Sequence, residues 1–134
     1  MKYLKTLRLI SKVGMTSFKT EAELQTALIK YINWSYPKIR YCASLGGQYQ
    51  KFVSQRKKAK STGYVSGFPD LQITEPRGKY HGLFIELKLN KKCYPSESQV
   101  NWIEDLNKRG YFAKVCKGLD ECIETLDYYL TLKT

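Results

Sequence analysis

Glu86 and Lys88 stand two residues apart in the run Leu83-Phe84-Ile85-Glu86-Leu87-Lys88-Leu89. The run alternates as a β-strand does, so both charged side chains share one face, ~6–7 Å apart along the chain. Leu83, Ile85, Leu87 and Leu89 take the opposite face. A charged pair on an otherwise apolar strand must reach water or meet partners. Asp70 opens the preceding strand, Asp70-Leu71-Gln72-Ile73-Thr74, directly after the turn residues Gly67-Phe68-Pro69. If the two strands form a hairpin, Asp70 is carried next to Glu86. Two carboxylates converging beside a backbone carbonyl, that of Leu87, make an oxygen-rich site suited to Mg²⁺ or Mn²⁺. Such an ion activates water and neutralises charge on a phosphodiester in transit. Lys88 would sit beside it, able to hold the attacking water or stabilise the phosphorane. The plainer reading is a cross-strand salt bridge among the three residues. Spacing alone does not separate the two.

The elements that must position these residues are legible around them. Thr20 is a helix N-cap with Glu23 three positions on, and Leu24, Ala27, Leu28 and Tyr31 recur at helical spacing up to Tyr36-Pro37. Ile39–Ser44 reads as a strand, followed by a long basic loop from Leu45 to Gly63. Ser96 and Gln99 form an S-x-x-Q capping box ahead of the stripe Val100, Ile103, Leu106, and Gly110 stops that helix. Tyr111–Cys116 reads as a strand and Leu119–Leu130 as a closing helix. Residues 1–18 read as a basic N-terminal arm or short helix, and residues 19–134 as a single domain. The order predicts an α/β fold with one mixed sheet and helices on its faces.

Charge supplies the context. The 134 residues carry a net +11, and all of it lies in the first half: residues 1–69 hold 13 basic and 2 acidic residues, residues 70–134 ten of each. No carboxylate occurs between Glu23 and Asp70. Lys51, Arg56, Lys57, Lys58 and Lys60 cluster there, with Tyr49 and Phe52 among them. This composition favours a polyanion, nucleic acid above all, through phosphate contacts and stacking. A solvated basic face is the alternative for the run taken alone. No apolar run is long enough to span a membrane, and no signal peptide is apparent. Cys42, Cys93, Cys116 and Cys122 form no CxxC pair and His81 is the sole histidine, so no structural zinc site is supplied. Buried, reduced cysteines in an intracellular protein are expected.

Gly67-Phe68-Pro69-Asp70-Leu71-Gln72-Ile73 followed by His81-Gly82-Leu83-Phe84-Ile85-Glu86-Leu87-Lys88-Leu89 resembles the P-D-(D/E)-x-K nuclease signature. More closely, it is similar to the virus-type replication-repair nuclease family, VRR-NUC. The resemblance extends over roughly residues 20–130, including the segment from Pro95 through Trp102-Ile103 to Gly110. It implies a restriction-endonuclease-like core, α-β-β-β-α-β-α, and a Mg²⁺- or Mn²⁺-dependent endonuclease acting on DNA. Asp70, Glu86 and the Leu87 carbonyl would be metal ligands, and Lys88 the catalytic lysine. The family also uses a glutamate on its first helix. Glu21 extends the apolar stripe and is the better placed, so the resemblance implies it as a catalytic residue and a further metal ligand; Glu23 lies off the stripe and fits a capping role. Gln25, one turn after Glu21, would line the same cleft. Gln99 falls where the family has a glutamine near the site, and this does not exclude its role in the capping box.

Small stand-alone members of the family resemble Holliday-junction resolvases. The resemblance thus implies a homodimer cutting branched DNA, in DNA repair or processing, encoded by a phage, virus or mobile element. Such a protein would work in the cytoplasm or nucleoid, or inside the host cell. Two other readings compete: a non-catalytic nucleic-acid-binding module, and a restriction- or homing-type nuclease with sequence preference. Trp34, Trp102, Tyr111, Tyr128 and Tyr129 read as core, helix-packing or rim residues, and His81 as a surface-loop residue.

Overall fold

Thr20 caps the first helix as its chemistry predicts, its Oγ1 accepting a bond from Glu23 N at 3.2 Å, but the Glu23 carboxylate accepts from Lys19 N at 2.8 Å and not from Thr20 N as a capping box requires. The computed structural model describes residues 18–44 and 53–134. The expectation for residues 1–17, and that for Lys51, lie outside the described residues. Helix α1 (Glu21–Ser35) buries Leu24, Ala27, Leu28, Tyr31 and Ile32. It is followed by β1 (Tyr41–Ala43), α2 (Val53–Ser61), β2 (Leu71–Ile73) and β3 (Leu83–Lys88). Helix α3 (Glu97–Lys108), β4 (Phe112–Lys117) and α4 (Leu119–Thr131) complete the chain.

Among the described residues, four strands form one mixed sheet in the order β1-β2-β3-β4. β1 and β2 are antiparallel, as are β2 and β3, while β3 and β4 are parallel. A parallel pair needs a crossover, and α3 supplies it. β3 is therefore central and buried along its whole length. On one face Leu83, Ile85 and Leu87 meet α1 and α4, with Leu71, Ile73, Leu126 and Tyr129. On the other, Phe84 packs with Leu106 and Ala113, bordered by Phe68, Trp102 and Tyr111. Asp127 ties α4 to α1 by accepting from the hydroxyls of Tyr31 at 2.6 Å and Tyr36 at 2.7 Å.

The structure differs from the sequence reading at four places. The basic segment is not all loop: Val53–Ser61 is a helix. Its Gln, Arg, Lys and Ala residues are good helix formers, but it buries nothing, so no apolar stripe announced it. Trp34 is 73% exposed, not packed. Cys42 is exposed, because its strand lies at the sheet edge. Strands β1 and β2 are three residues each, shorter than read.

One turn couples the layers. Gly67 has φ +90°, and a Cβ there would lie 2.6 Å from the Ser98 carbonyl carbon and 2.9 Å from Gln99 N. The turn is thus pressed onto the first turn of α3. Trp102 Nε1 donates to Ser66 O at 3.1 Å, and Phe68 packs edge-on against Trp102 at 5.1 Å. Gly67→Ala imposes both a strained φ and a backbone clash. Its expected cost is about 2–4 kcal/mol, read as a lower thermal midpoint. A midpoint equal to wild type would show that the contact is not tight.

Candidate active site

The β2–β3 ladder ends at the pair Leu71–Ile85. One register step further, Asp70 faces Glu86 across the strands. Beyond the ladder, Leu87 has no β2 backbone to bond, and Asp70 Oδ2 accepts from Leu87 N at 2.7 Å. Asp70 is also fixed from the other side, since its carbonyl accepts from Ser44 N at 2.7 Å. A strand residue turns its N–H and C=O to the same side. The Leu87 carbonyl therefore faces the notch that holds Asp70.

Glu86 is 1% exposed and Lys88 is 9% exposed. Both share the α3 face of β3 with Phe84. Lys88 Nζ lies 3.7 Å from Glu86 Oε1 and 3.9 Å from Glu21 Oε1. Glu21 reaches it from the start of α1, around the end of the sheet. Among the described residues no donor reaches the buried Glu86 Oε2, although the Asp70 and Glu86 carboxyls stand close enough to share a proton. An anionic oxygen buried without a donor is expensive, and the site responds electrostatically. Burial first, then the neighbouring Asp70, push the Glu86 carboxyl from 4.5 up to about 8, against the pull of Lys88. Burial likewise raises Asp70 above its ordinary value, opposed by its bond from Leu87 N. Glu21 is raised by burial, which outweighs Lys88.

The donor set suits a hard divalent cation. Two carboxylates, one with an orphaned oxygen, and a strand carbonyl turned to the same notch are all oxygen ligands. Among the described residues no three Asp, Glu, His or Cys side chains gather into a cage of their own. A cation here would complete its shell with water or substrate oxygen, as Mg²⁺ commonly does. Glu21 stands beside Lys88, and its contact is with that ammonium.

Of the other sequence candidates, Gln99 makes the capping box: its Oε1 accepts from Ser96 N at 2.9 Å and its N donates to Ser96 Oγ at 3.3 Å. The Gly67 contact brings this helix start against the turn that leads to Asp70. Arg56, Lys57, Lys58 and Lys60 are all exposed on α2. His81 is exposed, bonds Gly110 O through its backbone and lies against Tyr111, at the Leu83 end of β3 away from Glu86. Sequence reasoning missed the Leu87 N–H as the anchor of Asp70. It also passed over Gly67 as a contact, although a glycine just before Phe-Pro-Asp was the available signal.

The sign of the pH dependence follows. A carboxyl raised in the folded state stabilises the fold fully below its unfolded value, and loses that contribution as pH rises through the folded value. Metal-free protein should therefore lose stability between about pH 4.5 and 8, the window set by the Glu86 shift from 4.5 to about 8. Glu86→Gln, which cannot ionise, should flatten this slope in a thermal-melt series. Parallel slopes for the two proteins would refute the shift.

Comparison with known proteins agrees with the geometry. The VRR-NUC domain model matches residues 17–120. A solved structure described as a VRR_NUC domain protein is 34% identical, with a TM-score of 0.76, covering 87% of this chain and 93% of its own. No curated protein matches. The chain belongs to the VRR-NUC family and is a nuclease-type domain.

Proposed function

We propose that the protein is a divalent-metal-dependent DNA endonuclease that hydrolyses phosphodiesters in branched DNA. The observation that carries the reading is the Asp70–Glu86 pair at the end of the β2–β3 ladder, with Lys88 buried beside it. A structural salt bridge has no need of a second carboxylate raised by burial and left with an orphaned oxygen. Asp70, Glu86 and the Leu87 carbonyl would hold Mg²⁺ or Mn²⁺, which supplies Lewis-acid activation of water and charge neutralisation. Lys88 orients the attacking water or faces the charge that grows on the phosphoryl oxygens. Glu21 positions Lys88 by its contact at 3.9 Å. Gln99 keeps α3 against the Gly67 turn and so keeps Asp70 in register.

Arg56, Lys57, Lys58 and Lys60 hold the phosphate backbone, because α2 presents them to solvent with no acidic neighbour in the helix. A two-fold homodimer would offer two such sites to two strands of a junction, and light scattering on the purified protein measures that mass.

A panel of labelled junction, flap, splayed and linear DNAs, with Mg²⁺, Mn²⁺ or EDTA, tests the proposal. Cleavage should need metal and favour branched substrates. Asp70→Ala should fall to background, and Lys88→Ala should lose about a hundredfold or more, with binding retained in both. Full activity in either variant would sink the site assignment. Discrete fragments from linear duplex would instead favour sequence preference. Binding should weaken steeply between ~50 and ~200 mM salt, and each α2 cation removed should lower the slope of log K on log salt by about 0.9. A slope unchanged after all four are replaced by alanine would remove α2 from the interface.

A further inference from the structure

The loop from β3 to α3 carries chemistry that neither the core nor the carboxylate site uses. It runs Asn90-Lys91-Lys92-Cys93-Tyr94-Pro95. Asn90 sets its shape: Oδ1 accepts from Lys92 N at 2.9 Å and the carbonyl accepts from Cys93 N at 3.1 Å. Such local bonding by asparagine fixes a turn, and Pro95 restricts the backbone of Tyr94. The turn presents Tyr94 to solvent, 76% exposed.

One face of its ring is occupied. Lys117 Nζ lies 3.9 Å from the ring centroid. Lys117 is the register partner of Lys88, and Gly118 N donates to Lys88 O at 2.9 Å. Register partners share a face of the sheet on strands ~4.8 Å apart. The ring is therefore held from the strand next to Lys88, on the face that bears Glu86. Lys91 and Lys92 are exposed on the same loop. An open aromatic face backed by one cation and flanked by others is suited to stacking a nucleobase while phosphates meet the lysines. A paired base inside a duplex cannot offer its face; an unpaired one can.

We propose that Tyr94, held by Lys117, is a stacking platform that receives an unpaired nucleotide beside the phosphate presented to Asp70 and Glu86. This rests on the nuclease reading and deepens it, since the platform would select DNA with an unpaired base next to the cut. A tyrosine that merely stiffened its loop would not distinguish paired from unpaired substrate.

The full chain in EDTA tests this without cleavage, using a splayed duplex carrying 2-aminopurine at the first unpaired position and a fully paired control. Wild type should quench the probe on the splayed DNA. Tyr94→Ala and Tyr94→Leu should lose the quenching and about tenfold in affinity for it, with the paired control unchanged. Tyr94→Phe should keep both. Quenching by Tyr94→Ala equal to wild type, or failure of Tyr94→Phe alongside it, overturns the platform. Cleavage of the splayed DNA in Mg²⁺ is scored separately. Tyr94-dependent quenching together with no metal-dependent cleavage of any DNA in the panel supports the platform and defeats only the nuclease reading. Active wild type with Tyr94-independent quenching does the reverse.

Discussion

Past the Leu71–Ile85 pair, β3 continues with no β2 backbone beside it, and its Leu87 N–H is satisfied by the Asp70 carboxylate. An unsatisfied buried N–H costs about 1–3 kcal/mol, so this bond is a condition of the strand's staying straight. It is also what aims Asp70. The same residue gives its carbonyl to Ser44 N, so β1 and β3 hold it from both sides. Gly67 and Pro69 set the angle of approach, and the α3 start braces the turn. The end of one ladder thus fixes where the carboxylates meet.

That meeting is electrostatically unfavourable by itself. One ammonium, Lys88, stands among three carboxylates, with Glu86 buried and Asp70 half-buried. Removing an ion from water costs several kcal/mol even after relaxation, and a single counter-charge at 3.7 Å does not offset two. The site has two ways to neutralise itself: take up a proton on the Asp70–Glu86 pair, or take up a cation. The upward shift of both carboxyls expresses the first. The hard oxygen donors turned to one notch favour the second. A fold that needed only stability would have placed apolar side chains at these positions.

Much of this was legible in the sequence because it rests on short-range rules. Alternation in Leu83–Leu89 placed Glu86 and Lys88 on one face, and the Ser96–Gln99 box marked the start of α3. The approach of Asp70 to Glu86 needed only an antiparallel hairpin. What was not legible depends on tertiary contacts or on the absence of a stripe. Helix α2 has no buried face to produce a period. Trp34 sits near the end of α1, past the last buried position, so its size alone misled. Glu21 could be ranked above Glu23 by its phase on the helix, but its contact with Lys88 requires knowing that α1 begins beside the Lys88 end of β3.

The placement of the charge follows from topology. A site lined by carboxylates repels a polyanion, so attraction must come from elsewhere. β1 and β2 are antiparallel neighbours with Ala43 opposite Leu71. The chain between them must therefore leave and return at the same end of the sheet, the end that bears Asp70. Ser61, the last residue of α2, is nine residues before Asp70, which limits its distance to about 30 Å. The acid-free interval is that excursion together with β1 and the part of α1 that follows Glu23. Nothing in the core requires α2, since it buries no residue. Its cations are tethered within reach of the carboxylates yet outside the packed layers, so they can follow a phosphate backbone without disturbing the register that holds Asp70 against Leu87.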